Sequence, residues 1–161
     1  MSDLAESDAA DPAASPADAL LNQAMAGYRA DPVKGDFLLS YACTQATDPL
    51  PLYRVVTKFY NRQRRFEQAQ DFARKALAEA GRQCGLPDDP ETWRRGHLPA
   101  WDTVLASHAL LALKAMAFIA LRREDPALAT RYLAVLTALD IEDGSGVSVV
   151  SAMADSLEEV G

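Results

Sequence analysis

Residues 102–123 read Asp-Thr-Val-Leu-Ala-Ser-His-Ala-Leu-Leu-Ala-Leu-Lys-Ala-Met-Ala-Phe-Ile-Ala-Leu-Arg-Arg, and this stretch decides the fold class. It is rich in Ala and Leu, the strongest helix formers, and contains neither Gly nor Pro. It is apolar nearly all round, which predicts a helix buried among other helices. Strand signals are scarce elsewhere, so the expectation is an all-α fold. The apolar run from Leu105 to Leu121 is short for a bilayer span and includes His108 and Lys114, which favours a core helix over a membrane helix.

Working outward, Asp125-Pro126 opens a helix with Leu128, Leu133, Leu136 and Leu139. Gly144-Ser145-Gly146 ends it, and Val147, Val150, Ala154 and Leu157 space out a last amphipathic helix. On the other side, residues 85–99 contain Pro87, Pro90, Gly96 and Pro99 and read as an inserted loop, flanked by Trp93 and Trp101, which plug the gap it opens. Before it come a helix with Tyr53, Val56, Phe59 and Tyr60, a polar corner at 61–65, and a helix burying Phe66, Ala69, Phe72, Ala73, Ala76 and Leu77. That second helix ends near Gly81 or Gly85. Earlier still, Leu20, Leu21, Ala24, Met25 and Tyr28 form one helical pattern, and Phe37, Leu38 and Tyr41 another. Asp-Pro recurs at Asp31-Pro32, Asp48-Pro49, Asp89-Pro90 and Asp125-Pro126, a pairing of N-cap and first-turn proline that marks the corners. Residues 1–18, composed of Ala, Asp, Ser and Pro, read as a disordered acidic leader, leaving 19–161 as a single helical domain.

The net charge of −7 is unevenly spread. Residues 1–18 hold five acids and residues 140–161 six, with no base in either, while all 16 Lys and Arg lie between them against 12 acids. A mildly basic body with acidic ends disfavours nucleic acid, whose phosphates the ends would repel. Cys43 and Cys84 stand far apart without metal or redox spacing, and the N-terminus lacks a secretion signal. Both fit a reducing, cytoplasmic setting. His97 and His108 match no zinc-ligand spacing with those cysteines, and His108 on an apolar helix reads as a satisfied core residue. No phosphate loop, nucleophile elbow or paired metal histidines occurs, so neither catalysis nor a cofactor is expected.

The segment Tyr53-x-x-Val56-Thr57-x-x-Tyr60, followed by Ala69-x-x-x-Ala73 and Ala76-Leu77, resembles the tetratricopeptide repeat. Sixty residues on, Leu113-x-x-Met116-Ala117-x-x-Ala120, Ala129-x-x-x-Leu133 and Leu139-Asp140 repeat the register. Shifted by the family period of about 34, Ala19, Ala26, Gly35 and Leu39 match upstream, and Val147-x-x-Val150-Ser151-x-x-Ala154 downstream. The excess of the long shift over one period is the Pro-rich insert. The resemblance implies antiparallel helix hairpins stacked as a short solenoid with a C-terminal capping helix. Tyr53 or Leu113 stands where the family has Trp, and Thr57 or Ala117 where it has Gly. Residues 112–123, with Leu139-Asp140-Ile141-Glu142-Asp143, also resemble small repeat proteins found among nitrogen-fixation genes.

The tetratricopeptide resemblance further implies a concave groove that takes a peptide. Its residues would be Arg54, Lys58, Asn61 and Arg62 from one unit and Lys114, Phe118, Leu121 and Arg122 from the next. Such a basic groove would bind another protein through an acidic or C-terminal peptide, as an adaptor, assembly factor or chaperone-like protein. Lys58 stands where the family's carboxylate clamp has its first asparagine, which loosens that likeness. Two other readings stand beside it. The charged stripe is also what a solvated helix face looks like, with arginines meeting the helix dipole. The chain also fits a helical bundle serving as the subunit of an obligate oligomer, or an accessory protein of nitrogen-fixation type.

Overall fold

The computed structural model describes residues 15–139, which form six α-helices and no strand. They are α1 (Pro16–Ala26), α2 (Pro32–Thr44), α3 (Leu50–Arg62), α4 (Phe66–Cys84), α5 (Val104–Arg122) and α6 (Pro126–Leu139), with single tight turns of helix at Pro90–Thr92 and Arg95–His97. The expected last helix around Val147–Leu157 lies outside the described residues. The chain divides into two compact units, Met1–Val56 and Thr57–Gly161, and α3 crosses the boundary.

In the first unit, α1 packs on α2. Its helix starts earlier than a leader of 18 residues allows. The Ser15 side chain accepts the Asp18 N–H at 3.1 Å and Pro16 takes the first helical position. Ser15 to Asp18 therefore belong to α1, with Ala17 already buried. The buried face is Ala17, Leu21, Ala24 and Tyr28, and the Tyr28 ring lies so close to Gly35 of α2 that a Cβ there would meet it at 2.5 Å. The repeat register holds at Gly35 and Leu39, which are buried, but fails at Ala19 and Ala26, which are exposed. The cause is the connection: five residues separate α1 from α2, against three in each later hairpin, and the two extra residues turn Tyr28 onto Gly35.

In the second unit, α4 packs against α5 and α5 against α6. Both helices are lined with buried alanines, at 69, 73, 76 and 80 of α4 and at 106, 109, 112, 117 and 120 of α5. Small residues on both partners let the helix axes approach closely. Leu113, Met116, Leu77 and Leu136 fill the remaining space. α5 is the one described helix long and apolar enough to cross a bilayer, and 44% of its most apolar window is buried inside the protein.

Asp31, Asp89 and Asp125 directly precede a first-turn proline as the sequence implies, while Asp48 stands one residue earlier, before Pro49 and the helix start at Leu50. Asp31, Asp48, Asp89 and Asp125 each accept a backbone N–H two or three residues on, from Lys34, Leu50, Glu91 and Leu128 at 3.0–3.2 Å. The insert folds against the helices. Trp93 is buried over Gly81, where a Cβ would meet the indole at 2.8 Å, and its Nε1 donates to the Pro87 carbonyl at 2.8 Å. Trp101 donates likewise to the Arg95 carbonyl at 2.8 Å. Glu91 then pairs with Arg131, tying the insert to α6.

The sixty-residue register reappears in the backbone. After α3, Arg64 N–H donates to the Asn61 carbonyl at 3.1 Å and Arg65 N–H to the Tyr60 carbonyl at 2.9 Å. After α5, Glu124 donates to Leu121 at 2.9 Å and Asp125 to Ala120 at 2.8 Å. The residues that reverse the chain, Arg64 and Glu124, have φ of 60° and 59°. This is the two-bond left-handed helix ending, occupied twice by a residue other than glycine. Burial keeps the same register at Val56 with Met116, Thr57 with Ala117, Tyr60 with Ala120, Ala69 with Ala129 and Ala76 with Leu136, but not at Tyr53 with Leu113 or Ala73 with Leu133, where one of each pair is half-buried.

Candidate functional site

Arg54, Lys58, Asn61 and Arg62 sit on α3 at the expected spacing, so one helix stripe carries all four. Lys58 and Arg62 are exposed, Arg54 and Asn61 half-buried. The Asn61 Oδ1 is buried without a hydrogen-bond partner. Arg54 falls in the first unit and the other three in the second. Lys114, Phe118, Leu121 and Arg122 are all half-buried on α5. Among the described residues no hydrogen bond or ion pair joins the α3 quartet to the α5 quartet.

What gathers the two helix ends is the ring of Phe66, placed at the start of α4 by the first left-handed turn. The Arg122 guanidinium stacks 4.5 Å from the Phe66 centroid and 5.6 Å from that of Phe118, filling the space between two rings. Arg64 lies over Phe66 as well, at 5.5 Å. The two guanidinium carbons therefore stand no further apart than 5.5 Å and 4.5 Å laid end to end. Burial, and then the like charge of Arg64, hold Arg122 below the ordinary arginine range. Each stacked contact favours the cation by about 0.5–1 kcal/mol where exposed and more where water is excluded. The rings thereby hold together two cations that would otherwise spread apart.

Helical spacing places Phe66 on the core face; it is half-buried and serves this cluster instead. Neither it nor Arg64 belongs to the groove that the family resemblance implies. The only sequence signal for them is the sixty-residue repeat, which aligns the corner 63–65 with 123–125 and so brings residue 66 to the ends of both preceding helices.

The cations differ in how they are compensated. Away from this cluster three of them pair with acids, Arg74 with Asp71, Arg82 with Glu79 and Arg131 with Glu91, while Lys75 lies over Phe72 and Arg94 donates to backbone carbonyls. Arg123 instead donates to Gln70, a buried side chain of α4. Arg54, Lys58, Arg62, Arg64, Lys114 and Arg122 have no acidic partner among the described residues. Within the second unit, Lys58, Arg62, Arg64, Lys114 and Arg122 keep unspent capacity for carboxylates or phosphates.

Elsewhere, His108 is half-buried and its Nδ1 has no hydrogen-bond partner, so it is not the satisfied core histidine expected. Neither Cys43 nor Cys84 takes part in a disulfide, and burial pushes the Cys84 thiol above its ordinary value. Among the described residues, no three His, Cys, Asp or Glu side chains come together as a metal site would need. Both tryptophans of the insert are buried, Trp93 almost completely, which makes them plugs rather than surface anchors. Comparison with known proteins adds no relative: no family model, no curated protein and no solved structure matches the chain.

Proposed function

We propose that this chain is a protein-interaction module, acting as an adaptor, assembly factor or chaperone-like binder in the cytoplasm, without catalysis or cofactor. Its hairpins stack as a short tetratricopeptide-like solenoid, and the cation stripes of α3 and α5 line the groove. The ligand is an acidic or C-terminal peptide of another protein. Its carboxylates bond to Arg62, Arg64 and Arg122, and an apolar side chain rests beside Phe118 and Leu121. The observation carrying this reading is the ring-held pair of guanidiniums: Arg64 and Arg122 both lie over Phe66, and Arg122 over Phe118 as well, with no acidic partner for either among the described residues.

A labelled Asp/Glu-rich peptide tracked by fluorescence anisotropy provides the test. The R62E/R122E double variant should weaken binding by roughly tenfold or more, since each charge-assisted bond contributes about 1.5–3 kcal/mol. The charge reversal E67K on the exposed face of α4 serves as control. Equal loss in both variants, or no binding by the unaltered chain, overturns the proposal.

One observation favours the subunit reading as a second possibility. On α2, Val33, Phe37 and Tyr41 are 80%, 64% and 44% exposed, with the Phe37 and Tyr41 rings stacked at 5.9 Å. Such a stripe belongs at an interface between copies. Sedimentation separates the two: a monomer supports the adaptor, and a stable oligomer dissolved by Phe37→Glu supports the subunit.

A further inference from the structure

Arg64 and Arg122 reach one ring from two helix ends. Arg64 starts from the left-handed corner after α3, with φ of 60°, and Arg122 is the last residue of α5. Phe66 holds both, at 5.5 Å and 4.5 Å from its centroid, and all three residues belong to the second unit. A guanidinium laid on a ring uses its flat face and keeps its in-plane fork of N–H donors. Among the described residues neither fork is engaged: the two guanidiniums make no hydrogen bond and no ion pair. The closeness of the two charges is felt, since Arg64 adds to burial in holding Arg122 below the ordinary arginine range.

Charge selects the group that completes such a pair. A carboxylate has one charge and two oxygens, which a single Arg fork fills, so it leaves the second cation as it was. Two carboxylates would match both cations but repel each other at that spacing. A phosphate monoester carries a charge of about −1.5 to −2 at neutral pH on three oxygens, so one group meets both forks. The source of the phosphate follows from the charge of the whole chain. At −7 it is repelled by the many charges of nucleic acid or an anionic membrane, whereas a single phosphorylated side chain meets only the local cations. α5 supplies a spacing as well. Lys114, Phe118 and Arg122 stand at i, i+4 and i+8 and so share one stripe, and Lys114 has no acidic partner among the described residues. Eight residues of helix rise about 12 Å, which an extended chain covers in three or four residues at roughly 3.3–3.6 Å each.

We infer that the bound peptide is a phosphorylated one: its phosphate sits between Arg64 and Arg122, and an acid three or four residues away meets Lys114. The residues between the two pass over Phe118. The inference rests on the reading of this surface as an acidic-peptide site and gives that site a switch, because phosphorylation of the partner turns binding on.

The test uses the full chain and short labelled peptides followed by fluorescence anisotropy. One peptide carries phosphoserine four residues from a glutamate, and two others have serine or aspartate in place of the phosphoserine. The phosphoserine peptide should bind roughly tenfold tighter than the aspartate peptide, the gain of one further charge-assisted bond, and the serine peptide should bind weakest. From about pH 5 to about pH 7.5 affinity for the phosphoserine peptide should rise several-fold, as the phosphate loses its second proton near pH 6. The aspartate peptide stays ionised over that range, so it reads any titration of the protein itself and should change little. R64A and R122A should each bring the phosphoserine and aspartate peptides to similar affinity. K114A should weaken the phosphoserine peptide only when the glutamate is present. Equal affinity of the unaltered chain for the phosphoserine and aspartate peptides overturns the inference and leaves the acidic-peptide reading standing. If no peptide binds, both fall. Binding of the phosphoserine peptide without binding of the aspartate peptide supports the inference and narrows the function to phosphorylated partners. Displacement by inorganic phosphate at the same concentration as by unlabelled phosphoserine peptide, or tighter binding to phosphatidylserine vesicles, gives the anion site another ligand and overturns the inference.

Discussion

The corners after α3 and after α5 have one backbone and two chemistries. Both close with the same pair of hydrogen bonds and the same left-handed residue, sixty positions apart. The first is spelled Gln63-Arg64-Arg65-Phe66 and the second Arg123-Glu124-Asp125-Pro126. α4 ends in the same geometry, and there the left-handed residue is Gly85, with φ of 75°. Backbone shape at these corners is dictated by folding one helix back on another. The side chains are under no such constraint, and they divide the work. The first corner supplies Arg64 and Phe66 to the cation cluster, while the second supplies the Asp125 cap and the Arg123 bond to Gln70.

The largest difference between the hairpins lies at the end of the first one. α4 runs into the insert, and Trp93 closes over Gly81. Trp93→Ala empties a buried indole site and should cost about 3–5 kcal/mol in chemical denaturation. A loss under about 1 kcal/mol would mean that the insert is an accessory and that the hairpins stand without it. Next comes the corner position shared by Gln63 and Arg123. Arg123→Ala leaves the buried Gln70 Oε1 without its donor and should cost about 1–3 kcal/mol, whereas Gln63→Ala, at an exposed site, should cost close to nothing. Equal effects would erase the asymmetry between the corners. Smaller again is the cap: Asp125→Ala should remove about 1 kcal/mol.

Much of this frame is legible in the residues. The four Asp-Pro corners, the buried alanines and the long helix arise from capping chemistry, small-residue packing and helix propensity, all of which act locally. In the first hairpin the apolar spacing already names Leu21, Ala24 and Tyr28, which are buried, and it is the repeat register that misses, because helical spacing alone does not fix how a turn closes. Ala19 and Ala26 therefore face outward and Leu21 and Tyr28 inward. The exposed Phe37 and Tyr41 show the same limit: spacing identifies a helix but not which of its faces is buried. In the candidate site, the α5 residues Phe118 and Arg122 can be named from register, but Arg64 and Phe66 cannot. Their roles come from the meeting of two helix ends far apart in sequence, and Phe66 has the composition of a core residue. Compensation of charge is equally hidden, since Glu91 and Arg131 pair across 40 residues.

The smallest expected effect on stability tests the comparison most directly. A non-glycine residue in the left-handed region costs roughly 1–2 kcal/mol relative to an unstrained one, and glycine relieves it at the expense of greater freedom in the unfolded chain. Arg64→Gly and Glu124→Gly should therefore each stabilise the fold slightly, by about 1 kcal/mol or less, and by similar amounts, because the two corners share their backbone. Their effects on ligand binding should separate. Arg64→Gly removes a guanidinium from Phe66 and from the neighbourhood of Arg122, so affinity for an acidic peptide should fall although the protein is no less stable. Glu124→Gly removes no cation and should leave affinity unchanged or slightly raised. A stability gain without a binding loss at position 64 would mean that its arginine is only a turn residue. A binding loss without a stability gain would mean that the cation cluster offsets the strain of the left-handed backbone.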